Sequence, residues 1–73
     1  MTALQQRVVD AIRDGVETNW ALARELGYSQ NTIRRVTGEL GHMGIIAVKE
    51  TFGGEKSYEV VPVPETAGET VGV

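Results

Sequence analysis

The chain has no cysteine and only one histidine, His42. Without cysteine there is no disulfide scaffold, no thiolate metal site and no cysteine nucleophile. The lack of disulfides fits a cytoplasmic location, which is the expectation here. One histidine is too few for a histidine-built metal centre, so no metal and no cofactor are expected. No apolar run approaches the roughly 20 residues that cross a bilayer, so no membrane contact is expected. The first residues, Met1 to Gln6, lack the basic start and apolar core of a signal peptide.

Positive charge is also scarce. Seven Lys and Arg stand against ten Asp and Glu, for a net charge of −3. Nucleic-acid binders usually carry a basic surface, so the sum argues against that class. The distribution argues the other way. Residues 62–73 hold Glu65, Glu69 and no base, which leaves seven bases and eight acids over 1–61. Acid gathers at Asp10, Asp14 and Glu17, whereas from Leu26 to Gly38 the only charges are Arg34 and Arg35. With 73 residues the chain makes one small domain. A domain of that size buries only about 60% of its unfolded surface, so a homodimer or a nucleic-acid partner would add useful stability.

What is present centres on Leu22 to Val36. Leu22, Ala23 and Leu26 share the buried face of a short helix over 19–26, with Thr18 as its N-cap. Gly27, having no Cβ, takes the left-handed conformation that ends such a helix. Ser29 then caps a further helix running from Gln30 to about Leu40. Ile33, Val36, Thr37 and Leu40 fall on its inner side at helical spacing. Asn31, Arg35 and Gly38 fall opposite, flanked by Gln30 and Arg34. Gly38, bare of side chain, would let that outer face approach a phosphate or base edge. Gly41 is expected to stop the helix.

An amphipathic helix over 2–14 precedes this unit. Its inner face is Leu4, Val8, Ala11 and Ile12, with Val9 at the edge, and Gly15 ends it. Trp20 lies about 110° from the centre of the buried face of its helix, at the boundary of core and surface. After Gly44 the period changes from helical to alternating. Ile46 and Val48 share a face, Thr51 to Lys56 read as a turn around Gly53-Gly54, and Tyr58 and Val60 fall together. Pro62 and Pro64 close the second strand. The domain is expected to span 1–63. Residues 64–73 have little periodicity and are expected to form a flexible tail.

The pattern Leu22-Ala23-x-x-Leu26-Gly27-x-Ser29-x-x-Thr32-Ile33-x-Arg35-x-x-x-x-Leu40, followed by Gly44-Ile45-Ile46, Gly53-Gly54 and Tyr58-x-Val60, resembles the winged helix-turn-helix family. The likeness covers about residues 4–61. It implies an α+β fold of three helices followed by a β-hairpin wing. It also implies transcriptional regulation of the small prokaryotic, plasmid or phage type, with helix three in the major groove and the 45–61 hairpin as wing. The chain departs from the usual pattern in its acidic balance, its glycines in helix three and a wing whose only cations are Lys49 and Lys56.

Hydrogen-bonding chemistry names the contacts. Arginine grips guanine O6 and N7 with two donors, and asparagine or glutamine does the same for adenine N6 and N7. Arg34, Arg35, Gln30 and Asn31 supply both kinds within two turns. Ser29 and Thr32 sit where hydroxyls and backbone N–H groups meet phosphate. Lys49, Lys56 and the Gly53-Gly54 backbone would meet phosphates from the wing. One module is expected to make about 4–6 phosphate contacts, and a salt slope of roughly −4 to −5 follows. Two copies on half-sites about one helical turn apart would supply useful affinity.

No arrangement of residues offers catalysis. Asp10 and Asp14 form a solvated stripe, and Gly53-Gly54 lies in a hairpin turn rather than before a helix. His42 is expected near the last carbonyls of helix three. The alternative to DNA binding is a winged-helix protein-interaction module that uses acidic helix one or Trp20, since fold does not dictate function. In 73 residues there is no room for a ligand-sensing domain, so control is expected from abundance, dimerisation or another protein.

Overall fold

The computed structural model describes residues 1–62. The expected tail over 64–73, and residue 63 of the expected domain, lie outside the described residues.

Helix α1 spans Ala3–Arg13. Its start is fixed by a reciprocal cap: the Gln5 N–H donates to Thr2 Oγ1 (3.1 Å), and the Thr2 N–H donates to Gln5 Oε1 (2.8 Å). Two donors that would otherwise be orphaned at the helix start are thereby satisfied. Val8, Val9, Ala11 and Ile12 are buried, whereas Leu4 is half-buried. Val9 is therefore a core residue rather than an edge one. Ile45 and Val60, at the base of the hairpin, pack against the same core and line a surface groove together with Val9.

Helix α2 spans Asn19–Leu26, with the Ala21 N–H donating to Thr18 Oγ1 at its start and Gly27 in the left-handed region at its end. Leu22 and Ala23 are buried. Leu26, expected beside them, is only half-buried: it packs against the core but also lines a surface groove with Arg7, Asp10 and Val16.

Helix α3 spans Gln30–His42, two residues beyond the expected end. Gly41 does not stop it. The stop is Gly44, whose φ of +77° only glycine adopts without strain. The Gly44 N–H donates to the Gly41 carbonyl (3.1 Å) and the Ile45 N–H to the Leu40 carbonyl (3.0 Å), the paired closing bonds of a glycine-terminated helix. Buried Ile33, Val36, Thr37 and Leu40 hold the inner face down through both internal glycines.

Strands β1 (Ile46–Phe52) and β2 (Glu55–Val60) form an antiparallel hairpin. Thr51, Phe52, Glu55 and Lys56 belong to the strands, so the turn narrows to Gly53-Gly54, both at positive φ. This is the tight two-residue turn whose twist matches the flanking strands. Pairing runs Ile46 to Val60, Val48 to Tyr58, then Glu50 to Ser57 and Phe52 to Glu55, with Lys49 as an extra residue in a bulge. The bulge places Val48 and Phe52 on opposite faces, although they are four residues apart. On its other side β2 is met by the segment between α1 and α2. Thr18 bridges Ser57, and the Tyr58 N–H donates to the Glu17 carbonyl (2.8 Å). Nothing in the periodicity announces this one-residue bridge.

Three helices followed by a two-stranded antiparallel hairpin make the α+β layout of a winged helix. One core, built on Val8, Val9, Ile12, Leu22, Ile33, Val36, Leu40 and Ile46 and closed by Tyr58, joins all five elements. Among the described residues no helix is long and apolar enough to cross a membrane.

Candidate nucleic-acid interface

Helix α3 presents Asn31, Arg35 and Gly38 on its exposed side. Because the helix runs on to His42, that side gains a fourth position. Asn31, Arg35, Gly38 and His42 are spaced 4, 3 and 4 residues apart, one stripe of about 16 Å at 1.5 Å per residue. His42 is exposed and belongs to the candidate site. The signal that would have found it is Gly44 with Leu40 and Ile45 flanking it, a helix-end pattern outweighed in the sequence by Gly41. Gly38 has no packing reason to be glycine, since a Cβ there would meet nothing in the chain within 4 Å.

At the helix start the Ser29 hydroxyl is already engaged. It accepts from the Thr32 N–H (3.1 Å) and donates to Thr32 Oγ1 (2.9 Å). The Thr32 hydroxyl thus keeps its own proton for an outside acceptor, while Ser29 has spent its proton inside the cap.

A groove of about 320 Å³ runs between α3, the start of α2 and the hairpin. Gln30 and Arg34 line it from the helix, Gly54 and Lys56 from the hairpin, and Trp20 from α2. Four of the expected contact residues are thereby brought together across 26 positions of sequence. Trp20 is 51% exposed, more open than a boundary residue, and Arg24 lies over its ring at 5.4 Å from the centroid. This cation–π contact holds the indole at the rim. Glu55 also borders the groove and offsets part of its positive charge.

Beneath the groove, three side chains join three elements. Buried Thr37 of α3 donates to Asn19 Oδ1 (2.9 Å), and Asn19 Nδ2 donates to the Tyr58 hydroxyl of β2 (3.2 Å). The Thr37 hydroxyl also lies 3.1 Å from the Arg34 carbonyl, a second acceptor for the same proton. Thr37→Val keeps the shape but leaves Asn19 Oδ1 without its donor. Asn19 is half-buried and lines the groove, so water can replace part of the lost bond and the cost is about 0.5–1.5 kcal/mol, which a chemical-denaturation curve would register.

Lys49 is placed differently from Lys56. Its ammonium pairs with both oxygens of Glu17 (2.7 and 2.8 Å), across the face of the hairpin that looks away from the groove. The hydrogen bonds that Lys49 donates to Glu17, with Glu50 and Glu59 adding negative potential nearby, hold the Lys49 pKa above its ordinary value. Lys49 is thus charged and already partnered, which leaves Lys56 as the wing cation on the groove side. The exposed Gly53-Gly54 backbone forms the tip.

Among the described residues no cluster of three or more His, Asp or Glu is placed to hold a metal ion. Comparison with known protein families, with curated proteins and with solved structures found no match to this chain.

Proposed function

We propose that this chain binds double-stranded DNA sequence-specifically as a small transcriptional regulator, with α3 in the major groove and the β1–β2 hairpin as its wing. The observation that carries the reading is the outward stripe of Asn31, Arg35, Gly38 and His42, bordered at its C-terminal half by one exposed acid, Glu39, and lying beside a groove that joins Arg34 of the helix to Lys56 of the wing. Helix side chains on such a stripe reach base edges, while the groove receives the sugar-phosphate strand. A homodimer on two half-sites would double the contact surface. Repression follows where the site overlaps a promoter, activation where it lies beside one.

The test is enrichment of a random duplex pool at low salt, followed by titration of the selected duplex over a range of salt. With Lys49 held by Glu17 and Arg35 on the base-reading stripe, the cations left for phosphate are Arg34 and Lys56. The slope of log affinity against log salt per protomer is therefore about −2 rather than −4 to −5, at about −0.9 per neutralised phosphate. A slope near zero, or no enrichment, rejects the reading in favour of a winged-helix protein-interaction module, which the acidic hairpin and the net charge of −3 favour.

Gly38→Ala separates folding from binding. Alanine is the better helix former by up to about 1 kcal/mol, and the space beside Gly38 is open, so the melting temperature rises. If the bare helix surface meets DNA closely, duplex affinity falls in the same variant. A rise in both quantities would remove Gly38 from the contact set.

A further inference from the structure

The hairpin has two faces of opposite character. Lys56 and Tyr58 line the groove beside α3, on the face opposed to DNA in the proposed complex. The other face carries Glu50 and Phe52 on β1 and Glu55 and Ser57 on β2, set there by the register and the bulge at Lys49. Phe52 is 86% exposed, the most open large apolar side chain among the described residues. A lone exposed apolar residue is ordinary on a protein surface. Its surroundings are not. Phe52 borders an open groove of about 400 Å³ with Glu50 and Glu55 at its sides. Glu50, Glu55 and Glu59 have no ion-pair partner among the described residues, and Lys49, the one cation on this face, is committed to Glu17. Like charges on one sheet face repel each other, and Lys49, held by Glu17 and also attracted by Glu50 and Glu59, offsets that repulsion only in part. Glu50 and Glu55 repel a phosphate backbone at Phe52, although Glu55 also reaches the rim of the groove on the other side.

We infer that the outer face of the hairpin is a docking surface for a basic segment of a partner protein, an arginine or lysine stem lying on the Phe52 ring and its charged head between Glu50 and Glu55. A cation over an aromatic face and beside two carboxylates satisfies both features of the site at once. The surface is separate from the stripe on α3, so it stands whether or not the chain binds DNA. In a DNA-bound regulator it would face outward and be free to recruit a second protein.

The experiment uses the isotopically labelled full chain in nuclear magnetic resonance titrations. The probes are a peptide of alternating arginine and leucine, its glutamate–leucine counterpart, and a random duplex. The inference expects the basic peptide, and not its acidic counterpart, to shift the amides of Glu50, Phe52, Glu55 and Ser57 while leaving those of Asn31, Arg35 and His42 in place; the duplex should instead shift the α3 amides and Lys56. Phe52→Ser keeps every charge, and an exposed side chain is not needed for folding, so this variant should bind the basic peptide at least tenfold more weakly. Glu50→Lys with Glu55→Lys should abolish the shifts. Three results would overturn the inference. One is unchanged peptide affinity in Phe52→Ser, which marks general attraction to acid. The second is an equal response around Asp10 and Asp14. The third is loss of duplex affinity in Phe52→Ser, which would turn the outer face toward DNA.

Discussion

Leu22→Ala is expected to bring the chain to the edge of unfolding. Leu22 is fully buried in α2, within the core shared by all three helices and the hairpin. Truncating a buried leucine costs about 2–5 kcal/mol, the lost transfer energy plus the cavity left behind. A domain of this size holds about 3–9 kcal/mol in total, at roughly 0.05–0.15 kcal/mol per residue. A urea curve should show the midpoint collapsing toward zero denaturant, and a thermal scan a broad, low transition. Leu26→Ala, one turn further along, should cost clearly less, because Leu26 is only half-buried. Equal losses at the two sites would mean that the end of α2 is as tightly packed as its middle.

The second large effect concerns binding. Arg34 and Arg35 are neighbours in sequence and do different work in the proposed complex. Arg35 lies on the outward stripe, where a bidentate grip on guanine is worth about 1–3 kcal/mol of discrimination. Arg34 lines the groove shared with Lys56, where it meets the backbone. Arg35→Ala should therefore weaken the selected duplex by roughly 5- to 150-fold while leaving non-specific binding much less affected. Arg34→Ala should weaken all duplexes nearly alike and make the salt slope shallower by about 1. Both residues are exposed, so neither change should move the melting temperature. Competition titrations with selected and random duplexes measure the two effects. Identical behaviour of the two variants would merge the base-reading and phosphate-reading roles.

The parts of the fold that were legible are those written in local chemistry. Thr18 and Gly27 bound α2, and Ser29 starts α3, because a cap is a matter of one or two residues. The glycine pair marked the hairpin for the same reason. Where long-range packing decides, the sequence was silent or misleading. Gly41 reads as a breaker, yet the inner face of α3 carries the helix past it to Gly44. Val9 reads as an edge residue because periodicity cannot show the hairpin base on the same core. The inventory of contact residues was legible, but their grouping was not. Lys49 and Lys56 look equivalent until a bulge and a carboxylate 32 positions away separate them. His42 was missed because its helix was ended too early.

The hydrogen-bonded line from Thr37 through Asn19 to Tyr58 bears on the architecture of any binding site. It ties α3 to β2 beneath the groove, so the separation of helix and wing is set before any partner arrives. In the proposed complex the protein then acts as a fixed ruler. Adding or removing one base pair between the step read by α3 and the step touched by the wing rotates one contact about the helix axis by roughly 34–36°, given 10–10.5 base pairs per turn. A hinged protein would follow that rotation. The tie through Thr37, Asn19 and Tyr58 resists it, so strain passes to the DNA, and operators should tolerate changes of base at that interval better than changes of length.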